Sequence, residues 1–519
     1  MEGCWLSEQD RRDIQARGMV EAEVVRQWAF FLNPPRPIRL RRACRVGDGI
    51  LRVDPKEVPE LLRVHEQAAQ EGRLMKFVPA SGSASRMFNA LIAYARREPG
   101  EPTDGISGEL PWEVAEFLEN LERFPFYPEL RESMLGLGED PLELRARGRI
   151  SRILDRLLTD RGLGYKDLPK GLILFHRYGQ TARTAIEEHL LEAARYVTDA
   201  RGVCRVHLTV SPGQRDRFMK EIERIRRLHE PKLGIQFRVG ISVQDPSTDT
   251  IAVDMENRLF RGVDGRLLFR PGGHGALLQN LQGLHADVVF IKNVDNVAHQ
   301  RLLDEIVFWK RILAGYLLRL QAQIRQLLAR LGGVHCEESA LGEALELVTS
   351  KLSIAMPSER ELGSRRQLRQ MLCDLLDRPL RVCAMVHNRG EPGGGPFWTH
   401  VPLGQCQLQI VESVQVDLAD HEQREIWESS THFNPVDMVC GLRDARGDVY
   451  DLERFADKSA VMITRKWSEG RKLKALELPG LWNGGMAGWN TVFIEVPEVT
   501  FQPVKTVNDL LRPGHQPDG

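Results

Sequence analysis

The chain has 519 residues, which is enough for several domain-sized units or for one large α/β domain with insertions. Its 71 Lys and Arg side chains nearly balance its 72 Asp and Glu side chains, so the composition shows no basic surface for nucleic acid or an anionic membrane. The N-terminal residues lack a secretory pattern, residues 302–331 are too interrupted by charges to span a bilayer, and the eight cysteines lack C-x-x-C spacing, so we expect a cytoplasmic protein with reduced thiols.

In chain order, residues 1–70 are predicted to form a charged N-terminal helical segment. Residues 75–80 have the pattern of a buried strand, which a turn of small residues connects to a helix at about 86–97. Residues 98–165 carry many prolines and charged helical stretches, and they are predicted to be a helical insertion.

Strand and helix patterns alternate between residues 172 and 295, with strands at 172–175, 203–210, 235–243 and 287–294 and helices at 181–198 and 213–228. This alternation predicts an α/β fold with a mostly parallel sheet. We therefore assign the α/β core to residues 71–310, a second helical insertion to 311–390, and the C-terminal part of the core, with mixed strands, to 391–519.

The turn after the first predicted strand contains only small residues, namely Ala80, Ser81, Gly82, Ser83, Ala84 and Ser85, and Arg86 follows it. Small side chains let phosphate oxygens approach the backbone N–H groups, so the turn is a candidate nucleotide loop. A strand–turn–helix connection of this kind also occurs without any ligand, and that alternative stays open here.

Four later segments carry further candidates. Lys170 follows a proline ahead of a strand, and Gly273, His274 and Gly275 form a glycine-rich turn around one histidine. Asp295 ends a hydrophobic strand, where α/β proteins place their sites, although an Asp there also caps helices. The last segment is Pro503-Val-Lys-Thr506, which contains Lys505.

The C-terminal segment resembles the Pro-Val-Lys-Thr segment of UDP-glucose pyrophosphorylases, in which the lysine reaches the reacting phosphates. The other four segments occur in the order of that family, so the chain resembles a divergent member of the UDP-sugar pyrophosphorylase superfamily. Through residues 431–437 and 477–490 the whole chain also resembles the family called domain of unknown function 4301.

The resemblance implies a nucleotide-diphospho-sugar transferase-like fold and transfer of a nucleotide, with uridine as the expected base, from a nucleoside triphosphate to a sugar 1-phosphate. It implies catalytic roles for Arg86, Lys170 and Lys505, sugar binding by Asn490, and Mg²⁺ on Asp295. It further implies nucleotide binding by the loop and by the glycine–histidine turn, at Ala80, Ser81, Gly82, Ser83, Ser85, Gly273, His274 and Gly275.

Two residues depart from the family pattern, because Ala84 replaces the second glycine of the loop and Ala276 replaces the acid after the histidine turn. A catalytically silent nucleotide-sugar-binding protein is therefore one alternative. A glycosyltransferase of the same fold is another, although Val294-Asp-Asn296 is not the Asp-x-Asp pattern of that class. The sequence leaves the sugar, the base and the oligomeric state open.

Overall fold

A ten-stranded, mostly parallel β-sheet forms the centre of the computed structural model, which describes residues 6–96, 110–333, 338–357, 364–390, 393–400 and 406–518. With strands numbered in chain order, the sheet contains β2 (Arg45–Val46), β3 (Gly49–Leu51), β4 (Leu74–Pro79), β7 (Val203–Val210), β8 (Gln236–Val243), β11 (Val288–Lys292), β12 (Leu380–His387), β15 (His432–Phe433), β16 (Asp437–Gly441) and β19 (Asn490–Glu495).

The strand order is β2-β3-β19-β12-β16-β11-β4-β7-β8, with β15 paired to β12. Along this order only β16 runs antiparallel to its neighbours β12 and β11, and every other adjacent pair is parallel. The predicted α/β fold with a mostly parallel sheet is confirmed. Because β4, β7, β8 and β11 are parallel, their carboxyl ends meet at one edge of the sheet.

The remaining strands of the described residues form three smaller sheets. They are β1 (Leu40–Ala43), β13 (Gly395–His400) and β14 (Cys406–Val411) in one, β9 (Thr250–Val253), β10 (Phe269–Arg270), β17 (Met462–Ser468) and β18 (Arg471–Glu477) in another, and the pair β5 (Leu174–Tyr178) and β6 (Thr181–Thr184).

The described α-helices, numbered in chain order, surround these sheets. They are α1 (Glu8–Ala16), α2 (Glu21–Leu32), α3 (Val58–Gln70), α4 (Asn89–Ala95), α5 (Trp112–Glu119), α6 (Tyr127–Leu135), α7 (Pro141–Ala146), α8 (Ile150–Leu158), α9 (Ala185–Ala194), α10 (Arg215–Leu233), α11 (Leu277–Gln282), α12 (Leu303–Gly332), α13 (Glu338–Glu346), α14 (Arg365–Leu376) and α15 (His421–Glu428). None of them has both the length and the apolar character that a membrane span requires.

Both faces of the central sheet are buried, as expected for parallel strands. In β11, Val288 and Phe290 join the core on the face covered by α3, α9, α10 and α12, whereas Val289 and Ile291 join the core on the other face, which includes α11. Side chains of a strand alternate between faces, so a continuous apolar run such as this one is what a sheet covered on both sides needs.

The helices α4–α8 have an apolar core of their own, in which Phe117, Phe124 and Phe126 pack with ring centroids 4.9–6.4 Å apart. The predicted insertion at 98–165 is helical where it is described, and its first part, to residue 109, lies outside the described residues. The chain segments before and after this helical insertion lie side by side, because Ser83 and Pro169 form a β-bridge.

Several local predictions differ from the structure. Residues 40–51, predicted as helical, contain the three short strands β1–β3, and residues 380–387, at the end of the second predicted helical segment, form the central strand β12. The predicted helix at 181–198 begins instead at Ala185, because Thr184 caps it by accepting a hydrogen bond from the Glu187 backbone N–H. The domain boundaries remain predictions.

The six cysteines that fall within the described residues, at positions 44, 204, 373, 383, 406 and 440, form no disulfide. Cys4 and Cys336 lie outside the described residues.

The buried ring of His65 in α3 predicts that the folded chain loses stability at acidic pH. Its Nε2–H donates to the Tyr196 carbonyl at 2.9 Å, and burial lowers the pKa of His65 from 6.5 to about 4. Between these pH values the unfolded chain binds a proton at His65 and the folded chain does not. The contribution of the neutral ring to the free energy of unfolding is therefore fully present above pH 6.5, and it falls by about 3 kcal/mol as the pH decreases to 4.

Urea unfolding of His65→Gln at several pH values tests this expectation, because the glutamine amide can still donate to Tyr196. The variant should show a shallower fall in stability between pH 6.5 and 4 than the wild type, and equal slopes would contradict the assignment.

Candidate active site

A cavity of about 820 Å³ lies at the edge of the sheet where the carboxyl ends of β4, β8 and β11 meet. Segments that are far apart in the chain line it together. Of the residues predicted from the sequence, the lining includes Ser81, Gly82, Ser83, Ser85, Arg86, Lys170, Gly273, His274, Asp295 and Lys505. All five candidate segments therefore converge on one cavity.

The small-residue loop after β4 offers free backbone donors to this cavity. The backbone N–H groups of Ser81, Gly82 and Ser83 donate no hydrogen bond to any described residue, and all three residues line the cavity. The next N–H, of Ala84, is bound to the Leu168 carbonyl at 3.0 Å. Three consecutive unpaired N–H groups are an arrangement suited to an anion.

The predicted helix after this loop is displaced. Residues Ala84–Arg86 form a 3-10 turn in which the Ser83 hydroxyl accepts from the Ser85 backbone N–H at 3.1 Å, and α4 begins only at Asn89. Arg86 therefore stands on the turn, exposed at the cavity. The free loop N–H groups, rather than the terminus of a long helix, are the donors that the structure provides.

Lys170 reaches the cavity because its segment pairs with the loop. The Lys170 backbone N–H donates to the Gly82 carbonyl at 3.1 Å, beside the bridge between Ser83 and Pro169. The Lys170 ammonium donates to the Val504 carbonyl at 2.9 Å. The long sequence gap between Arg86 and Lys170 is thus bridged in space, as the predicted insertion requires.

Asp295 is the centre of the charge arrangement. Its Oδ2 accepts from the Lys170 ammonium at 2.9 Å and from the Lys505 ammonium at 3.1 Å. Burial opposes the charge of this carboxylate, but the two lysines outweigh burial and lower the pKa of Asp295. Burial also lowers the pKa of Lys170, with Asp295 acting against it.

The segment that carries Lys505 is held in place by backbone contacts. The Val504 N–H donates to the Asp295 carbonyl at 3.0 Å, and the Asp509 carboxylate accepts from the backbone N–H groups of Lys505 and Thr506, both at 2.7 Å. The Lys505 side chain itself is half-exposed. A fixed backbone with an accessible ammonium is suited to contact with a ligand.

The glycine–histidine turn forms another wall. Gly273 has a φ of 58°, a left-handed conformation that favours glycine, and the Gln244 side chain donates to its carbonyl at 3.0 Å. The His274 ring packs against Trp482, with ring centroids 4.1 Å apart. His274 is solvent-accessible within the cavity, but the surrounding protein desolvates it and lowers its pKa, with Lys505 and Arg86 contributing.

The described lining is cationic overall, since Arg86, Lys170, Arg270, Lys466 and Lys505 face Asp295, Glu412 and Glu477. The guanidinium groups of Arg86 and Arg270 form no hydrogen bond or ion pair with the described residues, whereas the Lys466 ammonium lies 3.4 Å from the Glu477 carboxylate. Two arginines without a protein partner beside free backbone donors indicate that the cavity suits an anionic ligand.

Three predicted site residues do not line the cavity, namely Ala80, Gly275 and Asn490. Ala80 is buried just behind the loop, and a side chain at Gly275 would meet Leu478, so this glycine permits close packing instead. Asn490 begins β19, where it is buried, and its amide nitrogen donates to the Leu375 carbonyl at 2.9 Å. The structure places it outside this cavity, and sugar binding by Asn490 stays a prediction.

Several lining residues were not predicted from the sequence. Gln244 directly follows β8, so the rule that sites lie at the carboxyl ends of parallel strands could have found it. Arg270 is adjacent to the glycine–histidine turn. Glu477 and Asn483 lie within segment 477–490, which carries the family resemblance, so that signal could have found them. Lys466 and Glu412 lie in or beside mixed strands that lack a local signature.

Fold and cavity together define a mostly parallel α/β protein with a cationic cavity at the carboxyl edge of its sheet. The chain belongs to the family called domain of unknown function 4301, whose model matches residues 7–516. No curated protein sequence matches the chain significantly.

Several solved structures are similar to this one. The UDP-N-acetylglucosamine pyrophosphorylase of Trypanosoma brucei, solved with an inhibitor, has 15% identity and a TM-score of 0.48, covering 98% of this chain and 79% of the other. The UDP-glucose pyrophosphorylase of Leishmania major, solved with UDP-glucose, has 12% identity and a TM-score of 0.45, with the same two coverages. The UDP-glucose phosphorylase of Trypanosoma brucei has 14% identity and a TM-score of 0.43, covering 97% of this chain and 77% of the other.

Proposed function

We propose that this protein is a sugar-1-phosphate nucleotidyltransferase, which converts a nucleoside triphosphate and a sugar 1-phosphate into a nucleotide sugar and pyrophosphate. The observation that carries the proposal is the meeting of Lys170 and Lys505 on Asp295, beside the free N–H groups of the loop. The motif resemblance supports uridine as the base, and the sugar is left open.

The reaction is an in-line displacement at the α-phosphorus. An oxygen of the sugar 1-phosphate forms a bond to this phosphorus, the bond between the α-phosphorus and the bridging oxygen breaks, and pyrophosphate leaves with that electron pair. Such a step needs positioning and charge neutralisation more than covalent help from the protein. The loop N–H groups, Arg86 and Lys505 supply donors and positive charge where the phosphates would lie.

The residues present fit a divalent cation. Asp295 Oδ1 is buried and has no hydrogen-bond partner among the described residues, whereas Oδ2 accepts hydrogen bonds from Lys170 and Lys505. No group of three or more metal-binding side chains occurs in the described part of the chain, and Mg²⁺ commonly uses one or two carboxylates together with phosphate oxygens and water. Asp295 would hold Mg²⁺ through Oδ1, and the bound ion would neutralise phosphate charge.

Pyrophosphate release tests the proposal directly. The full chain is assayed with Mg²⁺ and a panel of nucleoside triphosphates and sugar 1-phosphates, beside Asp295→Asn, which keeps the side-chain shape but loses the charge. We expect pyrophosphate release with one particular substrate pair, and we expect Asp295→Asn to lower the rate of that release by about 10²-fold or more.

The matched control is Asp304→Asn, since Asp304 forms a surface ion pair with Arg195 away from the cavity. Its release rate should equal that of the wild type. If no pair yields pyrophosphate but UTP or UDP-glucose still raises the melting temperature, the protein is a silent binder. Absence of both effects would refute the proposed site altogether.

A further inference from the structure

A second cavity, of about 630 Å³, adjoins the first, and Lys505 is the one described residue that lines both. Helix α5 and the turn after it form one wall, and the C-terminal segment with the chain after β12 forms the other. A volume between about 300 and 1,000 Å³ is usual for a cavity that binds a small molecule.

Asn508, which lines this second cavity, carries an unpaired acceptor. The residue is 9% exposed, and its amide nitrogen donates to the Glu113 carbonyl at 2.9 Å and to the Glu116 carboxylate at 2.7 Å. Its Oδ1 is buried and has no partner among the described residues. A buried acceptor without a donor costs free energy, and a ligand hydroxyl would satisfy it.

The second cavity is also cationic, since Arg123, Arg389, Arg512 and Lys505 line it with two carboxylates, Glu116 and Asp509. Glu116 is engaged by Asn508, while Asp509 caps the Lys505 segment and pairs with Arg512 at 2.8 Å. Arg389 pairs with Glu498 at 2.7 Å.

Arg123 makes no ion pair with any described residue. Among the described residues, its guanidinium donates hydrogen bonds to the Asn120 side chain at 3.1 Å and to the Leu511 carbonyl at 3.5 Å. Arginine binds phosphate through paired N–H groups, so Arg123 is the cation of this cavity that a phosphate group would engage.

An exposed indole completes the lining. Trp112, the first residue of α5, is 69% exposed, and the cavity also contains the largely buried ring of Phe501. A flat indole face can pack against the C–H face of a pyranose ring while its edge remains in water.

We propose that the second cavity binds a phosphorylated sugar, with hydroxyl groups on Asn508, the ring on Trp112 and the phosphate on Arg123 and Lys505. These groups match the three parts of one ligand. Because Lys505 also lines the first cavity, the phosphate would lie where the two cavities meet. Assignment of this ligand as the acceptor of the reaction rests on the proposed function, whereas the binding itself does not.

Calorimetric titration of the full chain with glucose 1-phosphate tests the proposal, with inorganic phosphate and glucose as partial probes. Glucose 1-phosphate should bind more tightly than either probe. Arg123→Gln should weaken its binding about 10- to 100-fold, because a hydrogen bond to a charged group is lost. Trp112→Ala should weaken it about two- to tenfold.

Trp467→Ala is the matched control, because Trp467 is 66% exposed on β17 and lines neither cavity. It should leave binding unchanged. Binding that is weakened by Arg86→Gln and unaffected by Arg123→Gln would place the sugar phosphate in the first cavity and overturn the proposal, as would an absence of binding.

These titrations separate this proposal from the proposed function. Glucose 1-phosphate binding that is sensitive to Arg123, together with no pyrophosphate release from any substrate pair, would retain the second cavity as a sugar-phosphate site and refute the transferase. Pyrophosphate release together with glucose 1-phosphate binding that Arg123→Gln does not weaken would support the transferase and refute the second cavity as the sugar-phosphate site.

Discussion

Replacement of Lys505 by alanine should lower turnover by about 10²- to 10³-fold, the loss typical when a donor to developing charge is removed from an active site. The Lys505 ammonium lies 3.1 Å from Asp295 Oδ2 and lines both cavities, so it stands where phosphates of two substrates would meet. The loss should appear mainly in kcat, because charge on the transferred phosphate develops in the transition state.

Folding of this variant should be preserved, because the Lys505 side chain is half-exposed and Lys170 still neutralises Asp295. Lys472→Ala is a suitable control, since Lys472 is exposed on β18 and contacts the ring of Trp467 outside the two cavities. Steady-state pyrophosphate release and thermal melting would be measured on both variants. Near-normal turnover in Lys505→Ala would remove the lysine from the mechanism.

The second large effect concerns stability. Glu192 of α9 is buried beneath the sheet, where its carboxylate accepts from the Lys76 ammonium at 2.9 Å and from the Lys292 ammonium at 2.7 Å. Both lysines are inaccessible to solvent. Glu192→Gln would leave two buried ammonium groups without a counter-charge, and we expect a loss of about 3–5 kcal/mol in the free energy of unfolding.

Urea denaturation would measure this loss, with Glu66→Gln on the exposed side of α3 as the control. A triple variant in which Glu192, Lys76 and Lys292 are all replaced by methionine removes the charges together. It should recover most of the lost stability, since apolar packing can replace a buried ion cluster. A loss in Glu192→Gln no larger than in Glu66→Gln would contradict this account.

The buried cluster of Glu192, Lys76 and Lys292 is also connected to the chain segment that carries Asp295. His189 of α9 is buried, and its Nε2–H donates to the Val294 carbonyl at 3.1 Å, directly before Asp295. The Lys76 ammonium donates to the His189 carbonyl at 3.0 Å. Helix α9 is therefore tied to both the strand that precedes the small-residue loop and the strand that precedes Asp295.

Most of the candidate site could be predicted because its residues lie in short segments with a local chemical character. A turn of small residues, a histidine among glycines and a carboxylate at the end of an apolar strand can each be recognised without knowing the fold. Their order along the chain then carried the resemblance. The mostly parallel sheet could be predicted in the same way, from the alternation of strand and helix patterns.

The rest depends on contacts between distant residues. Nothing near Lys76 or Lys292 in the sequence indicates that Glu192, at least 100 residues away from each, will neutralise them. The family resemblance implied a site role for Asn490, but strand pairing of β19 buries this residue, whereas Asn483 of the same segment lines the cavity. The predicted helix at 181–198 included Thr181–Thr184, which instead form strand β6 because they pair with β5.

The bridge between Ser83 and Pro169 has a consequence for how members of this family can diverge. The chain leaves and re-enters the core at one point, so residues between these positions can change in length or be exchanged as a cassette without moving Lys170. Trp112, Glu116 and Arg123, which line the second cavity, all lie within that cassette. Relatives could thus exchange the lining of the second cavity in one contiguous segment, while Lys170, Asp295 and Lys505, which lie outside that segment, stay in contact with one another.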